Sequence, residues 1–261
     1  MKKIYYIIIS VILIAIGFII YGALPAKADI YGSSLIGWWR FDTNDDLDGV
    51  TLDRSGNGYN GNLVNIASST FYSYGKIGQG FDFDGADDYI EVASSTAFND
   101  AISGNNITIA SWVNFTDKGG SKIIIAKPFS PTTHVSPYAS YTLYLSSARK
   151  PSLSLSIGGV AKSLNATNAI ASSTWYHIAG VYNGSTIRVY INGVIDPGST
   201  AATGNISVYQ TPLRFIANGA LGEKFDGLID DVRLYNRALS ANEIAQLYNM
   251  GQTQFHSFGD F

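Results

Sequence analysis

The chain has 261 residues, no cysteine, 17 basic against 20 acidic side chains and a net charge of −3. A charge so small and of that sign excludes a nucleic-acid or anionic-membrane surface, and the missing cysteines exclude a disulfide scaffold, so core burial or a metal must hold the fold. Only 14% of residues are charged while 13% are aromatic, and with glutamate confined to Glu91, Glu223 and Glu243 the balance favours strands over helices.

At the N-terminus Lys2 and Lys3 precede an apolar run from Ile4 to Tyr21, and Ala26-Lys27-Ala28 supplies an A-x-A site. This is the shape of a signal peptide over residues 1–28, cleaved before Asp29. The run also has about the 18 residues a membrane helix needs, so retention as an anchor is the alternative. Either way the expected location is secreted or cell surface, with the membrane touched only through this segment. An exported domain without disulfides fits a bacterial protein better than a small animal module.

Residues 29–250 read as short strands between turn signals: LIGWWRF, NLVNI, GFDFDG, DYIEV, ITIASWVNF, SKIIIAK, YTLYLSS, PSLSLSI, TWYHIAGVY, STIRVYI, PLRFIA and LIDDVRLY. Many alternate apolar with polar residues, as half-buried strands do. Asn183-Gly184, Asn192-Gly193 and Gly158-Gly159 mark tight hairpins because these residues tolerate positive φ. Strands at this spacing predict an all-β, two-sheet antiparallel jelly-roll sandwich. One short helix is expected near the C-terminus: Ser240 is an N-cap, Glu243 completes a capping box and Gly251 ends the helix. Its Ile244, Leu247 and Tyr248 share a face that should pack on the sandwich. A loose tail, 251–261, follows.

The phrases WWRFD, DRSGNGYNG, GQGFDFDGADDYIEV, ITIASWVNF, TWYHIAGVYNGSTIRVYINGV and FDGLIDDVRLYNRALSANEIAQLYN, in that order, resemble the laminin-G-like jelly-roll domains of the concanavalin-A-like lectin/glucanase superfamily. The resemblance implies two curved antiparallel sheets and a module for adhesion or carbohydrate recognition, with a glycan or cell-surface polymer as partner; fold alone does not fix function. It also implies that the first and last strands are neighbours, which brings Asp42 toward Asp230. The intervening loop DRSGNG offers Asp53 and the Asn57 amide. Oxygen donors of this kind suit a hard cation, so the expectation is a structural Ca²⁺ held by Asp42, Asp53, Asn57 and Asp230. Strand alternation places Asp230 inward with Leu228, Val232 and Leu234, and Asp231 on the other face, paired with Arg233 or Arg237. An ordinary loop role for these residues is the competing reading, since aspartate is common in turns. Asp84, Asp87 and Asp88 form a second acidic cluster that reads as a solvated turn.

Catalysis lacks a carrier. Glycoside hydrolysis needs two suitably spaced carboxyls, the Glu-x-Asp-x-x-Glu pattern of glucanases with this fold is absent, and Glu243 is spent as a cap. The histidines, His134, His177 and His256, form no triad with a serine and an acid. Recognition remains, and the insertion PFSPTTHVSPYASY, Pro128 to Tyr141, offers Phe129, His134 and Tyr138 as ligand contacts. The expected function is therefore a non-catalytic binding module, with a structural or protein-interaction module as the alternative and a glycoside hydrolase as a distant one.

Overall fold

A computed structural model describes residues 29–252 apart from 46–47, 67–71, 131, 134 and 218–224. The expected signal segment, most of the tail, His134, Glu223 and His256 thus lie outside the described residues. Strands along the first half are β1 (Leu35–Trp39), β2 (Val50–Thr51), β3 (Gly61–Val64), β4 (Tyr72–Tyr74), β5 (Gln79–Asp84), β6 (Tyr89–Val92) and β7 (Ile107–Phe115). The middle supplies β8 (Lys122–Pro128), β9 (Ala139–Leu145), β10 (Pro151–Ile157), β11 (Val160–Asn165), β12 (Tyr176–Tyr182) and β13 (Thr186–Ile191). Then come β14 (Val194–Ile195), β15 (Thr200–Ala201), β16 (Leu213–Phe215) and β17 (Asp226–Tyr235). Among the described residues two α-helices accompany them, α1 (Thr96–Ala101) and α2 (Ala241–Met250), with a 3-10 turn at Thr43–Asp45.

The strands form two sheets. Sheet I runs β14-β13-β12-β7-β17-β5-β4, with β1 also on β17 and β15 on β13; sheet II runs β11-β10-β9-β8-β16-β6-β3-β2. Every described pairing is antiparallel, as expected for a jelly roll, and the first and last strands do meet: Leu35 faces Tyr235 and Trp39 faces Val232.

Alternation along each strand becomes separation across each sheet. In sheet II the cross-strand row Leu164, Leu153, Leu143, Ile125, Phe215, Ile90 and Leu63 is wholly apolar and all seven pack in the core. One position along, the row Ser163, Ser154, Thr142, Ala126, Arg214, Glu91 and Asn62 carries six polar side chains out of seven. Neighbouring strands lie about 4.8 Å apart, so this second row crosses nearly the whole sheet. Between the sheets, Trp39 and Phe41 both meet the Phe215 ring edge-on, at 4.9 and 5.8 Å. At Gly180 on β12 a Cβ would lie 2.9 Å from that of Leu153. Glycine thus lets the two layers close on each other.

The turns follow their chemistry. Asn192-Gly193 and Gly158-Gly159 have positive φ at both positions, as two-residue hairpins require. The Asn183 loop is one residue longer, and the Asn183 carboxamide oxygen accepts from Ser185 N and Thr186 N. At α2 the capping box is complete, Ser240 and Glu243 each accepting from the other's backbone. Helix α1 is an addition to the expected elements. Its Ser95 cap accepts from Phe98 N, and six residues are too few to show a helical period.

Candidate functional sites

The two adjacent aspartates of β17 stand where that strand changes neighbours. Residues 226–229 pair with β5, whereas 232–235 pair with β1. The register on β7 slips between Asp230 and Arg233, and Asp231 takes φ +49°, so the strand carries a bulge here. The extra residue undoes the simple alternation. Ile229, Val232 and Leu234 enter the core, while Asp230 lies opposite Trp112 and Asp231 bonds Trp38 Nε1 and Arg233. Both aspartates therefore leave the strand on the side away from the core, which corrects the expectation that Asp230 points inward and Asp231 to the opposite face.

Each is buried for a different purpose. Asp231 pairs with the buried Arg233 at 3.1 Å, and the guanidinium lies 4.4 Å from the Trp38 ring centre. Asp230 Oδ2 accepts from Lys76 N and Ile77 N at 2.8 and 2.7 Å, tying the β4–β5 hairpin to the closing strand. Its Oδ1 is buried with no hydrogen-bond partner. Burial, and then the charge of Asp231, push the Asp230 carboxyl well above the usual range. Asp42 reaches the same hairpin, accepting from Gln79 N at 2.9 Å, and burial raises its carboxyl too.

Asp53 and Asn57 serve the loop instead. Asp53 Oδ1 accepts from Trp38 N and Ser55 N, and Oδ2 from Ser55 Oγ and Tyr59 N. Asn57 turns its Nδ2 onto the Leu35 and Ile36 carbonyls. All four Asp53 acceptor sites are spoken for, and Asn57 presents a donor to β1, so the four expected calcium ligands do not form one shell. Asp42 and Asp230 alone share a hairpin. Among the described residues, the one group of three or more acidic or histidine side chains with ligand atoms within 4.8 Å of one another is Asp84, Asp87 and Asp88. There Asp84 Oδ1 accepts from Ala86 N and Asp88 Oδ2 from Asp84 N, the bonding of a tight turn.

The outer face of sheet II is built differently. Thr142 and Arg214 of the polar row are buried, Ser154 and Glu91 are half-buried, and Ser163 and Asn62 are exposed. Arg214 donates to Glu91 at 2.9 Å and lies over the Tyr89 ring at 5.5 Å. In the next row, Tyr144 Oη and Ser152 Oγ both donate to Asn165 Oδ1. On the other flank Tyr209 Oη bonds Ser156 Oγ, its N–H donates to Ser140 Oγ, and its ring meets Phe129 edge-on at 4.7 Å. The expected ligand residues Phe129 and Tyr138 are 37% and 46% exposed at this margin, and Phe129 N donates to Tyr138 O. Polar hydroxyls and amides thus lie between tyrosines on either side. Sequence reading found the margin and missed the row, whose members come from seven separate strands.

A family model described as the concanavalin A-like lectin/glucanases superfamily, of the laminin-G-like type, matches residues 84–245, more than half of the chain. The chain belongs to that superfamily. Among solved structures it is similar to domain 4 of AbnA, a GH43 extracellular arabinanase from Geobacillus stearothermophilus, in complex with arabinotriose, with 20% identity, TM-score 0.60 and coverage of 82% of this chain and 98% of that one. The binding domain of Paraclostridial Mosquitocidal Protein 1 is similar at 17% identity and TM-score 0.62, over 83% of this chain and 52% of that one. These likenesses establish the fold. Adhesion G-protein coupled receptor V1 of Danio rerio is 27% identical over 97 residues, 36% of this chain. The match spans only 2% of the receptor's length.

Proposed function

We propose that this chain is an exported, non-catalytic module that binds carbohydrate, on a cell surface or in a surface polymer, through the outer face of sheet II. The observation that carries the reading is the continuous row from Ser163 to Asn62, flanked by Tyr144, Tyr89 and Tyr209. Sugars present C–H faces to aromatic rings and hydroxyls to polar side chains, and this face offers both along one line. The arabinotriose complex of the AbnA domain supports the choice of ligand class. Glu91 is bound to Arg214 and Glu243 to Arg237 and the helix cap, so neither is free to act as an acid or base.

Titration calorimetry with arabino-oligosaccharides, preceded by a glycan array, tests the reading. Tyr144→Ala and Asn165→Ala should each weaken binding about tenfold, the cost of one lost stacking or polar contact. Glu91→Gln should leave no hydrolytic activity to lose. No glycan bound, with a protein ligand found instead, would make this a protein-interaction module; hydrolysis of a soluble glucan would make it an enzyme.

A second reading concerns calcium and rests on Asp230 Oδ1, buried and unpartnered, on a carboxyl raised by burial and then by the Asp231 charge. A hard cation taking Asp230 and Asp42 would satisfy that oxygen and relieve the repulsion. Asp53 and Asn57 have no part in it.

A further inference from the structure

We infer a second sugar subsite, sized for a single neutral ring, in a cavity at the free edge of sheet I; it rests on the carbohydrate reading but uses none of the residues of sheet II. The cavity holds about 200 Å³, and Asn168, Tyr176, Ile191, Val194, Ile195 and Asp196 line it. Pockets for larger ligands run from about 300 Å³ upward, so one ring rather than a chain is the fitting occupant.

Its walls divide by chemistry. Tyr176 and Ile191 are half-buried against the core, and Val194 and Ile195 stand at the lip, 68% and 45% exposed. Two large aliphatic side chains on a two-residue edge strand bury little area for the fold itself. They would cover the C–H face of a ring.

The polar side is set by Asp196, which is 3% exposed. Its Oδ1 accepts from Thr167 N at 2.7 Å and Gly198 N at 3.1 Å, and its Oδ2 from Asn168 N and Nδ2, both at 3.2 Å. Four donors fill the carboxylate, so Asp196 shapes the wall rather than binding ligand. Because it holds the nitrogen of the Asn168 amide, the carbonyl Oδ1 becomes the end offered to a hydroxyl. Tyr176 Oη, which takes only a 3.5 Å contact from Ala171 N, offers a second polar atom. Among the described residues no cationic side chain lines the cavity and Asp196 is negative, which selects against anionic sugars.

The test is a titration of the isotopically labelled full chain with neutral monosaccharides, L-arabinose, D-xylose, D-glucose and D-galactose, followed by backbone amide shifts. At least one sugar should move the amides of Asn168, Val194, Ile195 and Asp196 saturably. Asn168→Ala and Val194→Asp, both at exposed positions, should melt like the parent and bind that sugar about tenfold more weakly. Tyr144→Ala on sheet II should leave these shifts unchanged. If none of the four sugars moves these amides while oligosaccharides still bind sheet II, the subsite is wrong and the proposed function stands. If sugar binds neither place, both fall. Shifts produced by a small apolar probe such as indole, and by no sugar, would assign the cavity to an apolar side chain and overturn the proposal.

Discussion

The two sheets bury the same kind of inner face and present opposite kinds of outer face. On sheet I, Trp112 meets His177 edge-on at 5.3 Å and Tyr248 of α2 stacks on Trp112 at 5.6 Å. Gly251 sits so close that a Cβ would lie 2.5 Å from the indole. Beside them Arg233 and Asp231 are sealed under Trp38. Sheet II turns serine, threonine, arginine and glutamate outward. A face built of large rings and a paired charge has become a second core, whereas the polar face leaves Ser154 and Glu91 partly open and Ser163 and Asn62 exposed. The first should govern stability and the second binding.

The largest effect should come from Arg233→Ala, which strands the buried Asp231 carboxylate. Such breaks cost about 3–5 kcal/mol, or about 6–20 °C in melting temperature for a domain of this size. A shift below 2 °C would show that the outer face of sheet I is not a core.

Next is the calcium reading. A ligand that binds only the folded state adds about 2.7 kcal/mol at 100 times its Kd. Wild type should melt higher in millimolar calcium than in EDTA, Asp230→Asn should lose that difference, and Asn57→Ala should keep it. Identical wild-type melts in the two buffers would remove the ion and leave the hairpin bonds to Asp230 as its whole role.

His177 gives a pH-dependent effect, spread over more than two pH units. Burial lowers its imidazole from 6.5 to about 4, so it stays neutral in the fold while the unfolded chain takes up a proton. Unfolded protein then binds more protons between these values, and stability falls as pH drops from about 6.5 to about 4, by at most about 1.4 kcal/mol per pH unit. His177→Phe should flatten urea midpoints across that window. An unchanged slope would mean that the ring is not sealed.

The smallest stability change belongs to sheet II. Ser154→Ala should move the melting temperature within the range of surface substitutions, about 0.5 kcal/mol. A loss several times larger would mean that the polar row is structural.

Much of this was readable in the chain because it is local. The capping box of α2 spans four residues, the paired glycines and Asn192-Gly193 carry their own φ, and PSLSLSI shows its two faces in seven letters. The pairing of Asp231 with Arg233, two positions along, is local as well. What could not be read is what depends on distant partners. The bulge places a positive φ on an aspartate, without the glycine that would mark it, so alternation ran straight through Asp230. Asp53 and Asn57 have the residue types of metal ligands, and only the nearness of Trp38 N and the Leu35 and Ile36 carbonyls shows them to be loop fasteners. Seven strands had to be in register before the row from Ser163 to Asn62 existed.

The pairing of β1 with β17 has a mechanical consequence. Leu35, where β1 begins, lies opposite Tyr235, where β17 ends, so the two strands begin and finish at the same end of one antiparallel ladder, before α2 packs back on sheet I. A load applied across Leu35 and Tyr235 would open that ladder one bond at a time, from Leu35 toward Trp39, instead of shearing all its bonds together. Tethered at one end only, the module would pass tension around this seam. Pulled across Leu35 and Tyr235, the seam would part and expose the bulge with Asp230 and Asp231 next.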